Sequence, residues 1–245
     1  MKGVILAGGF ATRLRPLTLV TNKHLLPVYH KPMIYYPLEA MAKAGIHEVL
    51  LTSSPDHAGD FANLLNAGED FNIKLYYAVQ KNSKGGIADA IILAEEFSNN
   101  EPILVILGDN IFNFNLRDSV EHFEKKKSGA VVFGVRVPTK SGQYGVIEID
   151  KSGKVISIEE KRTKPKSDIA QTGVYLYDSR VFSFIKQLVP SGRGELEVTD
   201  LNNFYLKDGS LQCEIIDWWV DAGTSYDELL RANNEVAQMV REGRL

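Results

Sequence analysis

The chain has 245 residues, 28 lysines and arginines against 31 aspartates and glutamates, and a net charge of −3; a length of this order buries one sizeable core, and charge this dispersed excludes a basic nucleic-acid platform while leaving small anionic ligands open. A single cysteine, Cys213, excludes an intramolecular disulfide framework and a cysteine-rich zinc site. No stretch of 18 consecutive apolar residues and no charged-then-apolar leader occurs, so a cytoplasmic protein with no membrane partner is expected.

The apolar run Val4 to Ala7 predicts a strand over 3–7 that stops at Gly8-Gly9, after which basic residues arrive at Arg13, Arg15 and Lys23. Glycines without Cβ let backbone N–H groups approach phosphate oxygens, and fixed cations offset charge growing on phosphorus, so the loop reads as a cradle for a nucleoside triphosphate. A turn that merely ends a strand is the plain alternative. The letters fit neither the Walker pattern G-x-x-x-x-G-K-[ST] nor the dinucleotide fingerprint G-x-G-x-x-G, which makes this a different phosphate site.

Helical and strand patterns then alternate: helix 33–44, strand 48–53, helix 57–66, strand 73–79, helix 87–97, strand 103–107, helix 116–127 and strand 130–137. Such alternation predicts a parallel sheet covered on both faces. Pro37 falls early enough in its helix to be tolerated. After Val137 the rhythm changes: 144–150 and 154–160 flank the hairpin signal Lys151-Ser152-Gly153, and 169–177 adds another strand. Helices 179–188 and 197–207, strand 211–217 and helix 225–241 complete the chain. The expected fold is α/β and Rossmann-like, a mostly parallel mixed sheet flanked by helices with a small β-rich insertion. It forms a single domain over 1–245, with a nucleotide-binding part at 1–137 and a sugar-phosphate-binding part at 138–245.

Three acidic clusters stand out. Asp109, in Leu107-Gly108-Asp109-Asn110, follows a strand where open α/β sheets bind ligands, so it is suited to hold a metal over phosphates or to serve as ordinary turn chemistry. Asp221, in Trp218-Trp219-Val220-Asp221, is alone most simply a cap for the last helix; paired with Asp109 it becomes a second carboxylate on one Mg²⁺. Glu159-Glu160-Lys161 ends a strand as either a solvated edge or a polar site. Gln80, past strand 73–79, and Gly192-Arg193-Gly194 complete the candidates.

In order, LAGGxxTRLxPxT, NKHLLPVxxKPMIYYPL, VILGDNIF, YGVIEID, ISIEEK, TGVYLYDSRVF, PSGRGELEVTDLNN and WWVDAGT resemble the sugar-1-phosphate nucleotidyltransferases, in particular the short thymidylyl-transferring branch without a longer C-terminal extension. The resemblance runs from Met1 to about Arg231. It implies that Leu6, Gly8, Gly9, Arg13, Lys23, Gln80, Gly85, Gly86 and Asp109 bind the nucleotide, Gln80 and Gly85-Gly86 at the pyrimidine edge. It implies that Asn110, Tyr144, Gly145, Glu160, Lys161, Thr172, Gly173, Tyr175 and Arg193 line the sugar phosphate, and that Asp109 and Asp221 hold Mg²⁺. Arg13, Lys23 and Lys161 are the implied catalytic cations. The implied substrates are dTTP and glucose 1-phosphate, the implied product is dTDP-glucose for deoxysugar and surface-polysaccharide synthesis, and the implied assembly is a homo-oligomeric dimer or tetramer.

Four places depart from the family pattern: Phe10-Ala11 replaces a small residue and a glycine, Asn22-Lys23-His24 replaces Ser-Lys-Gln, Asp89 replaces an amide or imidazole, and Gln171 replaces a valine. An acid at 89 is costly if it faces base or phosphates. A uridylyltransferase of the same fold, a sugar-nucleotide sensor without turnover and a Rossmann dehydrogenase are the competing readings.

Overall fold

The structure is a computed structural model describing residues 1–9, 11–82, 84–137, 144–160 and 166–245. In chain order the first half forms β1 (Lys2–Ala7), β2 (Pro27–Val28), β3 (Lys31–Pro32), α1 (Tyr35–Lys43), β4 (Glu48–Ser53), α2 (Ala58–Leu65) and β5 (Lys74–Val79). It continues through α3 (Ile87–Ile91), α4 (Glu95–Ser98), β6 (Ile103–Leu107), β7 (Asn110–Phe112), α5 (Arg117–Lys126) and β8 (Ala130–Arg136). The second half forms β9 (Val146–Ile149), β10 (Val155–Glu159), β11 (Ile169–Tyr177), α6 (Val181–Ile185), α7 (Val198–Lys207), β12 (Leu211–Ile216), β13 (Trp219–Asp221) and α8 (Tyr226–Arg241).

Among the described residues nine strands share one sheet in the order β10-β9-β11-β6-β1-β4-β5, with β8 joining β11 and β12 joining β8. Pairing is parallel from β6 through β1 and β4 to β5, and antiparallel where β11 meets β6 and β8 and where β10 meets β9. Strand β1 lies among the parallel strands, and its run Val4–Ala7 is apolar and buried because both its faces are covered. Ile5 and Ala7 enter one core with Leu38, Met41 and Phe61, while Val4 and Leu6 enter the other with Ala88, Ile91 and Tyr175. The expected α/β class and mixed sheet are therefore present.

Several boundaries differ from the sequence reading for identifiable reasons. Helix α1 begins at Tyr35, so Pro37 sits in its first turn, where an N–H has no intrahelical acceptor to lose. The continuous helix expected over 87–97 tightens into a 3₁₀ turn at Ile92–Ala94, next to two adjacent β-branched side chains that crowd a regular helix. Asp221 does not cap α8: Ser225 does, its side chain accepting from the Glu228 N–H at 3.1 Å.

One irregularity joins the two halves. Strand β11 pairs with β9 at Ile169 and Ala170 and with β6 from Val174 onward, and its register on β8 shifts between Gln171 and Tyr175. Thr172-Gly173 lies in that bulge, which frees the Gly173 N–H to donate to Asn110 Oδ1 at 2.7 Å. A Cβ on Gly173 would come within 2.7 Å of Asn110 Oδ1 and 2.6 Å of Leu107 Cδ1. Gly173→Ala is expected to lower unfolding free energy by about 1–3 kcal/mol in urea denaturation. Gly59→Ala, in α2 with nothing within 4 Å of its Cβ, is expected to raise it by about 0.5–1 kcal/mol; equal effects of the two would contradict the packing described.

Candidate active site

Beyond the carboxyl ends of β1 and β6 lies a cleft of about 460 Å³ lined by Leu6, Gly8, Gly9, Arg13, Lys23, Gln80, Gly86, Asp109, Asp221, Gly223 and Thr224, among others. That is ligand-sized, and these residues come from five separate stretches of chain. A separate cavity of about 430 Å³ beside Tyr36, Lys43 and Phe112 contains neither the glycine loop nor the acid pair.

Lys23 heads a 3₁₀ turn, Lys23–Leu25, whose preceding residue Asn22 accepts from the His24 N–H at 2.9 Å and donates to the Ala7 carbonyl at 3.3 Å. The turn is thereby tied to the end of β1. Its ammonium donates to Asp109 Oδ2. Asp221 reaches the same place through the short ladder β13-β7, where it pairs with Asn110 and where the Ala222 N–H donates to the Asp109 carbonyl at 2.9 Å. Chain passage over the ion pair demands Gly223, since a Cβ there would overlap Asp109 Oδ2 and lie 2.9 Å from Lys23 Cδ.

Burial opposes the charge on all three groups, and their neighbours decide each outcome. Against burial, Asp109 and then Asp221 hold the Lys23 ammonium above its ordinary range. Burial also works against Asp109, yet Lys23 keeps its carboxyl well below the usual carboxylate range. Burial followed by the Asp109 charge pushes Asp221 up to about 7. His24, buried beneath, is lowered to about 3 by burial and the Lys23 charge and stays neutral.

The pair fits a hard divalent cation. Its donors are all oxygens, and two carboxylates facing one lysine leave an excess of negative charge that keeps one of them from ionising freely. Among the described residues no group of three or more His, Cys, Asp or Glu side chains comes together as a metal cage.

The other expected residues are distributed unevenly. Leu6, Gly8, Gly9, Gln80 and Gly86 line the cleft, and Arg13 stands exposed on the 3₁₀ turn Thr12–Leu14 with no ion pair among the described residues. Asn110 is not on the cleft wall but behind it: its amide oxygen accepts from Gly173 N–H and, at 2.5 Å, from Trp219 Nε1, while its NH₂ donates to Asp109 Oδ1 at 3.0 Å. Gly85 lies behind as well, against Asp89.

Among the residues expected at the sugar phosphate, Thr199 Oγ1 donates to Glu160 Oε2 at 2.5 Å, and Arg193 lies 3.5 Å from Glu160, 3.7 Å from Glu195 and 2.9 Å from both Glu197 oxygens. Thr172 is buried and donates to the Phe133 carbonyl at 2.8 Å; Tyr175 is buried, stacks on Tyr177 and accepts from Gln171 Nε2 at 3.1 Å. Tyr144 packs edge-on against Trp219, and Gly145 accepts from the Gln171 N–H at 2.8 Å. Lys161 lies outside the described residues. Glu195 and Lys84 also line the cleft and were not singled out from sequence. Glu195 adjoins the flagged Gly-Arg-Gly segment, whereas a lone loop lysine carries no pattern.

A family model for nucleotidyl transferases matches residues 2–239. The chain belongs to the nucleotidyl transferase family. Proteins named glucose-1-phosphate thymidylyltransferase are similar to this nucleotidyl transferase at 49% identity in Neisseria gonorrhoeae, over 91% of this chain and 78% of that one, and at 44% in Xanthomonas campestris, over 99% and 83%. A crystal structure of a Bacillus anthracis protein assigned that same name, in complex with sucrose, superposes with a TM-score of 0.90 at 48% identity, covering 96% of this chain and 94% of that one. A UDP-glucose pyrophosphorylase structure shares the fold, with a TM-score of 0.83 at 23% identity, over 97% and 98%. Among the described residues no helix is long and apolar enough to cross a membrane.

Removing the lysine leaves two buried acids without a counter-charge. Lys23→Met is expected to cost about 3 kcal/mol of folding stability in EDTA, part of which added Mg²⁺ restores; thermal melts with and without metal check this, and no metal response would contradict it. Asp221 supplies a second test. A carboxyl whose folded pKa is raised to about 7 from an ordinary 3.8 binds its proton more tightly when folded, so the contribution of Asp221 to stability is full below about pH 4 and is lost as pH rises towards 7. In metal-free buffer, the difference in melting temperature between the wild type and Asp221→Asn is expected to move against the wild type across that window.

Proposed function

We propose that this nucleotidyl transferase converts dTTP and α-D-glucose 1-phosphate into dTDP-glucose and diphosphate. The observation that carries the reading is the meeting of Asp109, Asp221 and Lys23 in one cleft with the glycine loop, in a chain 40–49% identical to proteins named for this reaction. Residues 1–137 hold the nucleotide and residues 138–245 supply the sugar-phosphate side.

The chemistry needs no side-chain nucleophile. A phosphate monoester near neutral pH is already an oxyanion, so the barrier lies in bringing two anions together and in the charge that accumulates as diphosphate departs. A sugar-phosphate oxygen bonds to the α-phosphorus in line with the breaking bond to the β-phosphate, and the electron pair leaves on diphosphate. Gly8 and Gly9 let the backbone approach the triphosphate, while Arg13 and Lys23 take up the charge of the leaving group. Asp109 and Asp221 would hold Mg²⁺, which when bound supplies Lewis-acid neutralisation of the phosphate oxygens.

Lys161 and Arg193 orient the attacking phosphate, and Glu160 accepts sugar hydroxyls. Arg193 is caged by carboxylates, but its side chain is 46% exposed. Exchange of one of these screened partners for a phosphate is therefore cheap.

Removal of one preorganised donor from such a site costs about 3 kcal/mol, a hundredfold or more in rate. Arg13→Ala is expected to lower kcat/KM by about that factor with folding retained; a loss under about fivefold with saturating Mg²⁺ would remove it from the site. A diphosphate-release screen crossing nucleoside triphosphates with hexose 1-phosphates tests the reaction itself. The best rate is expected for dTTP with glucose 1-phosphate, and no release with any pair would overturn the proposal.

A further inference from the structure

Asp89 is the departure from the family pattern that carries charge next to the nucleotide side of the cleft. It does not line the cleft. It lies on α3 with one carboxylate oxygen, Oδ2, accepting from Gln80 Nε2 at 2.9 Å, and the same NH₂ group donates to the Gly86 carbonyl at 3.2 Å. Gly85 makes room for this contact, since a Cβ there would overlap the Asp89 carboxylate.

The consequence lies in the polarity of the other amide atom. Gln80 is only 5% exposed, yet it lines the cleft, and its Oε1 points past Gly8, where a Cβ would lie 2.7 Å from it. That oxygen receives no hydrogen bond from the described protein, and it is absent from the sealed, unpartnered polar atoms Thr52 Oγ1, Gln171 Oε1 and Asn202 Nδ2. It is thus a free acceptor reachable from the cleft. An amide presents either a donor or an acceptor there depending on which way it is turned, and its partners on the far side decide the matter. A carboxylate offers lone pairs only, as does a carbonyl. Both far-side partners therefore demand the NH₂ group, and the oxygen is left for the ligand.

We propose that Asp89 is a positioning residue for base selection: it locks the Gln80 amide with its carbonyl oxygen toward the nucleotide, so that the site accepts a base with an N–H at that position and rejects one with a lone pair. Thymine and uracil carry a hydrogen on N3; cytosine carries a lone pair. The lock separates these two classes. It does not separate thymine from uracil, whose N3 edges are alike. The inference rests on the proposed nucleotidyl transfer and deepens it.

The test compares the wild type with Asp89→Asn and Asp89→Ala, using dTTP, UTP and CTP with glucose 1-phosphate. Asparagine keeps the shape but can donate, which brings the two amide orientations closer in energy; alanine removes the partner and suits a helix. The ratio of kcat/KM for dTTP to that for CTP is expected to fall about fivefold or more in both variants, as one hydrogen bond's worth of orientation is lost. The change is expected in KM, with the ratio of dTTP to UTP unmoved. A merely structural Asp89 would lower all three substrates together. A dTTP to CTP ratio within twofold of the wild type in a folded variant overturns the inference, and if one variant fails to fold the other decides. A wild type inactive with every triphosphate would overturn the nucleotidyl-transfer reading instead, so the two failures are distinguishable.

Discussion

Two carboxylates and one ammonium share a space from which most water is excluded, and the surrounding structure is arranged so that this is tolerable. Placing unpaired charges in such a space costs several kcal/mol each. Lys23 meets Asp109 directly and lies within the field of Asp221, but a single cation does not balance two acids. The imbalance shows in the raised Asp221 carboxyl. A site in this state is poised for additional positive charge.

The surrounding hydrogen bonds keep the pair from relaxing away from this arrangement. Asn22 ties the Lys23 turn to the end of β1, the β7-β13 ladder brings Asp221 beside Asp109, and Asn110 spends both ends of its amide on holding Asp109 and the bulge of β11 in fixed relation. Through Asn110 the acid that follows β6 is hydrogen-bonded to the bulge of β11. Arg193 contrasts with this rigidity. It is half exposed among three carboxylates, so its partners can be exchanged as an anion arrives.

Most of the sheet was legible because its strands bury both faces and read as unbroken apolar runs, as at Val4–Ala7 and Ile103–Leu107. What escaped the sequence was short or non-local. Strands β7 and β13 have three residues each, too few for a period, yet they carry the approach of Asp221 to Asp109. The bulge at Thr172-Gly173 is a matter of register between partners, which no single strand encodes. Asp89 was visible as a departure from the family pattern, but its contact with Gln80 depends on how α3 packs beneath the loop, so sequence showed the oddity without its direction. The glycine loop, Lys23 and both aspartates could be picked out because their chemistry is local to a strand end; the amide network behind them could not.

The most direct test of the shared cation is a crystal grown with dTTP and Mn²⁺ in place of Mg²⁺, examined for anomalous scattering. The account predicts an anomalous peak coordinated by carboxylate oxygens of both Asp109 and Asp221 and by the triphosphate. A manganese bound to the triphosphate but out of reach of either aspartate, or a nucleotide seated away from Gly8 and Gly9, would contradict it.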